Sequence, residues 1–172
     1  MKIKLKDIVL LALLASLMSV GDFAFELLPN IHLVGVLIVI ATAKYRWYAL
    51  LPIYVYVFIQ GMVGGFQPWW IPYIYVWDFL WLFVMIIPKK CPEKLKYILY
   101  VAACALHGFL FGTLYAPSQV LLFFGGDFRK MIPWIIAGIP ADVTHGISNL
   151  LLGAVLIFPI IKVLNLADKY AK

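Results

Sequence analysis

Hydrophobic residues run through this chain in long blocks, separated by short breaks rich in Gly, Pro and Lys. Blocks of this length without strict alternation predict helices. Six are expected: about Leu5–Phe25, Leu33–Ala43, Tyr48–Val63, Trp70–Ile87, Tyr97–Tyr115 and Pro140–Ile161. The second reaches only roughly 17 Å at 1.5 Å per residue, too short to cross a ~30 Å hydrocarbon core. The loop before it, Gly21 to His32, is therefore expected to dip into the bilayer, where irregular backbone survives only against protein or a cavity. Pro117–Phe124 is apolar but too short to span, and is predicted to cover the outer surface. Met1–Lys6 followed by Ile8–Leu17 resembles a signal peptide. The apolar run continues past Leu17, and the topology needs this helix.

Composition sharpens the class. The chain has 172 residues, 65% hydrophobic and 13% charged, against about 25% charged in soluble domains. An all-α integral membrane protein of one domain follows, with no room for a soluble nucleotide-binding fold. Twelve of the fourteen Lys and Arg lie at one end of the predicted helices: Lys2, Lys4, Lys6, Lys44, Arg46, Lys89, Lys90, Lys94, Lys96, Lys162, Lys169 and Lys172. Arg129 and Lys130 lie at the other. By the positive-inside rule both termini are cytoplasmic in the cell membrane. The basic excess is then a topology signal that requires no nucleic acid. The two cysteines, Cys91 and Cys104, form no disulfide framework and match no zinc spacing.

The chemistry lies in polar residues inside the apolar blocks. Asp142, His145 and Asn149 are spaced i, i+3, i+7 and share one helical face. A charge in hydrocarbon costs roughly 2.5–3.5 kcal/mol even on lenient scales. The face must look into protein, water or a ligand, so it is either a helix–helix contact or a cavity wall. Gln60, Asp22, Glu26, His107, Tyr115 and Asp78 fall in the same middle and outer layers. The pattern predicts a cup open outward and closed at its base. Trp70, Tyr73, Trp77 and Trp81 form an aromatic stripe, with Gln67 and Trp69 preceding it. An interfacial aromatic belt or a ligand site fits Trp69 and Trp70, and ligand stacking or core packing remains for the deeper Trp77 and Trp81. Asp78 is expected to pair with His107 or to meet a ligand. Ala12-x-x-x-Ser16 and Ala15-x-x-x-Ser19 place small residues one turn apart, which suits close packing within the protein or docking of another subunit.

The small-residue stripe of Ala12, Ala15 and Ser16, the segment Ile139-Pro140-Ala141-Asp142, the loop Leu28-Pro29-Asn30-Ile31-His32 and the stretch Trp69-Trp70-Ile71-Pro72-Tyr73 carry a resemblance. With six helices and a short second helix, the whole chain resembles the substrate-binding S components of energy-coupling factor (ECF) transporters. That resemblance implies capture of a scarce micronutrient from outside without catalysis or cofactor. It implies docking through the first helix on a transmembrane T component with two cytoplasmic ATPases, then toppling to release the ligand. The chain contains no G-x-x-x-x-G-K-[ST] phosphate loop, so energy would come from such a partner.

The expected ligand is a water-soluble vitamin or related ring-bearing micronutrient, with no metal. The residues assigned to it are Glu26, Asn30, His32, Gln60, Gln67, Trp70, Tyr73, Trp77, His107, Tyr115, Asp142, His145 and Asn149. Two other classes compete. An intramembrane enzyme would use Asp142, His145 and His107, but H-E-x-x-H and G-x-S-x-G are both missing. A non-catalytic scaffold would bind no ligand.

Overall fold

The structure is a computed structural model that describes residues 3–28 and 30–170, the side chains of the last three apart. Lys2, Pro29, Lys172 and the side chain of Lys169, all invoked above, lie outside the described residues. Among the described residues there is no strand. The helices are α1 (Leu5–Ala24), α2 (Val34–Tyr45), α3 (Leu50–Gly64), α4 (Tyr73–Met85), α5 (Glu93–Phe123) and α6 (Met131–Tyr170). Four helical stretches are long and apolar enough to cross a membrane: Leu5–Ala24, Val34–Gly64, Glu93–Phe123 and Phe128–Ala167. Within the second, Arg46 adopts φ 55° and separates α2 from α3.

α2 is the centre of the bundle. It is apolar on every side, and such a helix must be enclosed. Val34 to Thr42 are all buried, with α1, α4, α5 and α6 packed around them. The outer helices show the opposite pattern. On α1, Leu11, Leu14, Ala15 and Met18 face in, while Val9, Leu13, Leu17 and Val20 face out. Large exposed apolar side chains continue over α3, α5 and α6. A surface this apolar fits contact with lipid.

At its basic end the bundle is tied through carbonyls. Arg46 donates to the carbonyl oxygens of Val84 and Met85 at the end of α4, at 3.4 and 2.6 Å, and Trp81 Nε1 donates to the Arg46 carbonyl. Lys44 Nζ donates to the Leu164 carbonyl, 2.8 Å away on α6. Trp81 therefore belongs to the core at the basic end, and the packing alternative for it holds.

α5 and α6 form the most extensive contact in the molecule. Glycines let them touch. A Cβ on Gly108 would sit 2.8 Å from the Gly146 Cα, and one on Gly112 would sit 2.7 Å from Asp142 Oδ2. A Cβ on Gly146 would collide with the Phe109 ring. Gly108-x-x-x-Gly112 is the small-residue spacing that permits such an approach.

Three boundaries need correction. The stretch Pro117–Phe124 is not a separate surface cover but the last turns of α5. Pro117 brings no N–H, yet the turn is stitched by side chains: Tyr75 donates to the Leu114 carbonyl and Ser118 to the Tyr115 carbonyl. Neighbouring hydroxyls are a common means of keeping a proline inside a membrane helix. Pro140 likewise does not open the sixth helix, which starts at Met131 after a short 3-10 turn, Phe128–Lys130, capped by the Asp127 side chain. The fourth helix is shorter than expected, because the backbone before Tyr73 is a run of turns ending at Pro72.

Gly108→Ala should lower thermal stability in detergent by about 1–3 kcal/mol, the usual cost of overpacking a site that cannot yield. A Cβ on Gly138 of α6 would meet nothing within 4 Å, so Gly138→Ala should leave the melting temperature unchanged or raise it slightly.

Candidate functional site

The polar face of α6 is turned inward. Asp142, His145, Ser148 and Asn149 are buried, whereas Val143, Ile147 and Leu150 are exposed. Asp142 Oδ1 accepts the Gly112 N–H at 2.8 Å, so part of this face is the helix–helix contact with α5. Asn149 Nδ2 donates to the Cys104 carbonyl at 3.2 Å and lies against Gly35 at the start of α2.

Below Asp142 the three histidines of the chain meet. His145 lies 4.5 Å from His32 and 6.4 Å from His107, ring centre to ring centre. Trp77 from α4 touches both His32, at 5.9 Å, and His107, at 5.5 Å. Phe111 closes the group, 4.8 Å from His145 and 5.6 Å from Trp77. Four elements therefore deliver side chains to the same place: the loop before α2, then α4, α5 and α6.

Trp77, His107, His145 and Asn149 are 1%, 0%, 2% and 0% exposed. Each nevertheless carries a polar atom without a protein partner: Trp77 Nε1, His107 Nδ1, His145 Nε2 and Asn149 Oδ1. His32 Nδ1 is in the same condition. Buried polar atoms are nearly always hydrogen-bonded, and each orphan calls for an explanation. Five within or beside one ring cluster mark it as the candidate site.

A second polar layer sits beside the cluster. Asp22 at the end of α1 accepts Gln60 Nε2 at 2.7 Å and the Tyr56 hydroxyl at 3.2 Å, both from α3. Tyr56 in turn lies edge-on to Trp77, 5.9 Å away. Aromatic rings cover the rest. Tyr73 contacts Trp77 and Tyr115, Tyr115 stacks on Trp134 with a 6° angle between the rings, and the Tyr115 hydroxyl donates to the Trp69 carbonyl.

The structure gathers part of the expected set. His32, Tyr73, Trp77, His107, Tyr115, His145 and Asn149 belong to the cluster or its cover. Gln60 reaches it only through Asp22. Trp70 is pinned elsewhere, its Nε1 donating to the Val57 carbonyl and its ring edge-on to Phe66. Glu26 and Gln67 are exposed, and Asn30 contributes a backbone carbonyl, which accepts from Ser148, and not its side chain. The open cup is also corrected: rings in mutual contact close it over. The Asp78–His107 pair is not formed. Asp78 accepts the Tyr54 hydroxyl at 2.6 Å, while His107 Nε2 bonds the Val76 carbonyl at 3.0 Å. Val76 and Asp78 are two residues apart and fall on different faces of α4, so the face that meets His107 turns Asp78 away.

Sequence reasoning missed Tyr56, Phe111 and Trp134, which carry no polar signal inside an aromatic-rich chain. Among the described residues, His, Cys, Asp and Glu side chains are nowhere grouped in threes suited to a metal ion.

The class these features define is an all-helical protein with apolar helices of membrane length around a buried polar and aromatic cluster. No protein-family model matches the chain, and no curated protein or solved structure matches it.

A double-mutant cycle tests the corrected pairing. Asp78→Asn and His107→Ala should be additive in thermal stability within about 0.5 kcal/mol, as for residues without a shared partner. A coupling well above that would restore the pair.

Proposed function

We propose that this protein is a membrane-embedded binding subunit, of the kind represented by the S components of ECF transporters. It spans the membrane with six helices, has both termini in the cytoplasm, and captures a ring-bearing water-soluble micronutrient from the opposite side. One observation carries this reading: four partnerless polar atoms belong to one cluster of touching rings, and a fifth, Asn149 Oδ1, lies one helical turn away on α6. A pocket with mostly aromatic walls and a few directed polar groups is what a small planar ligand requires.

Access requires movement, because the rings touch. His32 lies on the non-helical loop between α1 and α2, which is tethered to α6 by the bond from Ser148 to the Asn30 carbonyl. That loop, together with the cover of Tyr73, Tyr115 and Trp134, is the part that yields. Two faces of α1 divide the expected docking stripe. Ala15 is buried and serves packing, while Ala12 and Ser16 are exposed. They border a groove of about 350 Å³ whose walls include Ile8, Leu51, Pro52 and Val55. A T component with its two ATPases would dock along it.

Mass spectrometry of small molecules retained by the purified protein is the direct test, with one ring-bearing compound expected. His145→Ala should weaken its binding at least tenfold while the melting temperature of the ligand-free protein moves by only a few degrees. Equal affinity in the variant and the parent would remove the cluster from the site. Ala12→Trp should abolish co-purification with the T component and spare ligand binding. Loss of ligand binding instead would make the groove internal packing.

A further inference from the structure

The hydrogen-bonding sense of the cluster is readable atom by atom. A carbonyl only accepts, so the His107 nitrogen facing the Val76 carbonyl must carry the proton. In the neutral ring the other nitrogen, Nδ1, is then a bare acceptor. The same logic fixes Asn149. Its Nδ2 faces the Cys104 carbonyl, so the free atom, Oδ1, is an acceptor. Trp77 Nε1 can only donate. Two acceptors and one donor of settled identity thus await partners, two within the aromatic cluster and Asn149 Oδ1 one helical turn along α6 from His145.

Charge points the same way. The three imidazoles of the cluster are ionisable, but an apolar, buried setting disfavours a charged imidazole. The other ionisable side chains joined to this region are the carboxyls of Asp22 and Asp142, and the groups bonded to them are neutral: Tyr56, Gln60 and the Gly112 amide. Ionised or not, a carboxyl offers no positive charge. The two cations at this end of the bundle are engaged on the loop between α5 and α6. Arg129 is 96% exposed and 3.8 Å from Asp127, and Lys130 lies over the Phe124 ring at 5.4 Å. One positive feature does reach the cluster, the start of α2 beside Asn149. A helix N-terminus is worth about half a charge, which does not balance an anionic ligand placed near two carboxyls.

We propose that the occupant is a planar heterocycle, neutral or positively charged, that donates N–H or O–H bonds to His107 Nδ1 and Asn149 Oδ1 and accepts one from Trp77 Nε1. Carboxylate- and phosphate-bearing rings are refused. This rests on the binding-subunit reading above and narrows it to one class of ligand.

The test offers the purified full-length protein matched probes on one ring: 3-(aminomethyl)pyridine, pyridine-3-carboxamide and pyridine-3-carboxylate. The same three substituents on a fused two-ring scaffold extend the panel. Retention after desalting is read by mass spectrometry, and ligand-induced thermal shift is read in parallel. The amine or the carboxamide should be retained and raise the melting temperature by at least 2 °C, with the carboxylate at least tenfold weaker. Asn149→Leu should reduce retention at least tenfold, and His107→Phe serves if that variant does not fold. Retention of the carboxylate as well as the others overturns the ligand class and leaves the binding subunit standing. Failure of every probe in both readouts overturns this inference, while the binding-subunit reading is decided separately by whether the purified protein retains a ring-bearing compound of its own.

Discussion

The enclosure of α2 governs the rest of the structure. Twelve residues rise only about 18 Å, yet Val34 to Thr42 have no face that water or lipid touches. A helix that short, held at the centre of a bundle of longer apolar helices, cannot reach both ends of the bundle. The chain must descend to its first residue as loop, and that descent puts His32 beside Trp77 and His145. The polar cluster is therefore a geometric consequence of a central helix that stops early. Lengthening α2 by two turns would place helical backbone where the histidines now meet.

The second constraint is the glycine contact between α5 and α6. Because Gly108 lies against Gly146, and Gly112 against Asp142, the two long helices approach closely at the level of the cluster. Close approach forces the α6 residues on that side to face protein. It gives Asp142 a backbone N–H to accept and places His145 against Phe111. Helix spacing and site geometry thus share the same residues, so a larger side chain at Gly112 would displace Asp142 as well as part the helices.

Much of this was legible in the sequence. The short second helix followed from its length, and the α6 polar face from the i, i+3, i+7 spacing, which the burial pattern repeats residue by residue. What failed did so for identifiable reasons. Proline reads as a helix start, yet Pro117 and Pro140 lie within helices, and at Pro117 hydroxyls bond the carbonyls of Leu114 and Tyr115 in the turn that lacks an amide. Depth counting put Asp78 level with His107 but says nothing about which way a side chain turns around the helix, so the pair was an error of azimuth. Tyr56, Phe111 and Trp134 were invisible because their role depends on which rings meet across helices, and twenty-eight aromatic residues among 172 leave too many combinations.

Energetics give the cluster its meaning. A buried polar atom without a partner costs about 1–3 kcal/mol, and five such atoms would together cost on the order of 5–15 kcal/mol, comparable with the whole stability of a typical domain. For folding alone, Leu or Phe at His107, His145 and Asn149 would avoid that cost, in a bundle already dominated by apolar packing. Asn149 shows the conflict most sharply: its Nδ2 is satisfied by Cys104 while its Oδ1, at the same depth, is not. A purely structural asparagine would be placed to use both ends. A group that satisfies one end within the protein and leaves the other unpaired is positioned by its first bond to offer its second. His107 repeats the arrangement, with Nε2 committed to Val76 and Nδ1 left over. The recurrence of half-satisfied side chains, each oriented by its used end, is the feature that supports the proposed binding site over a packing defect.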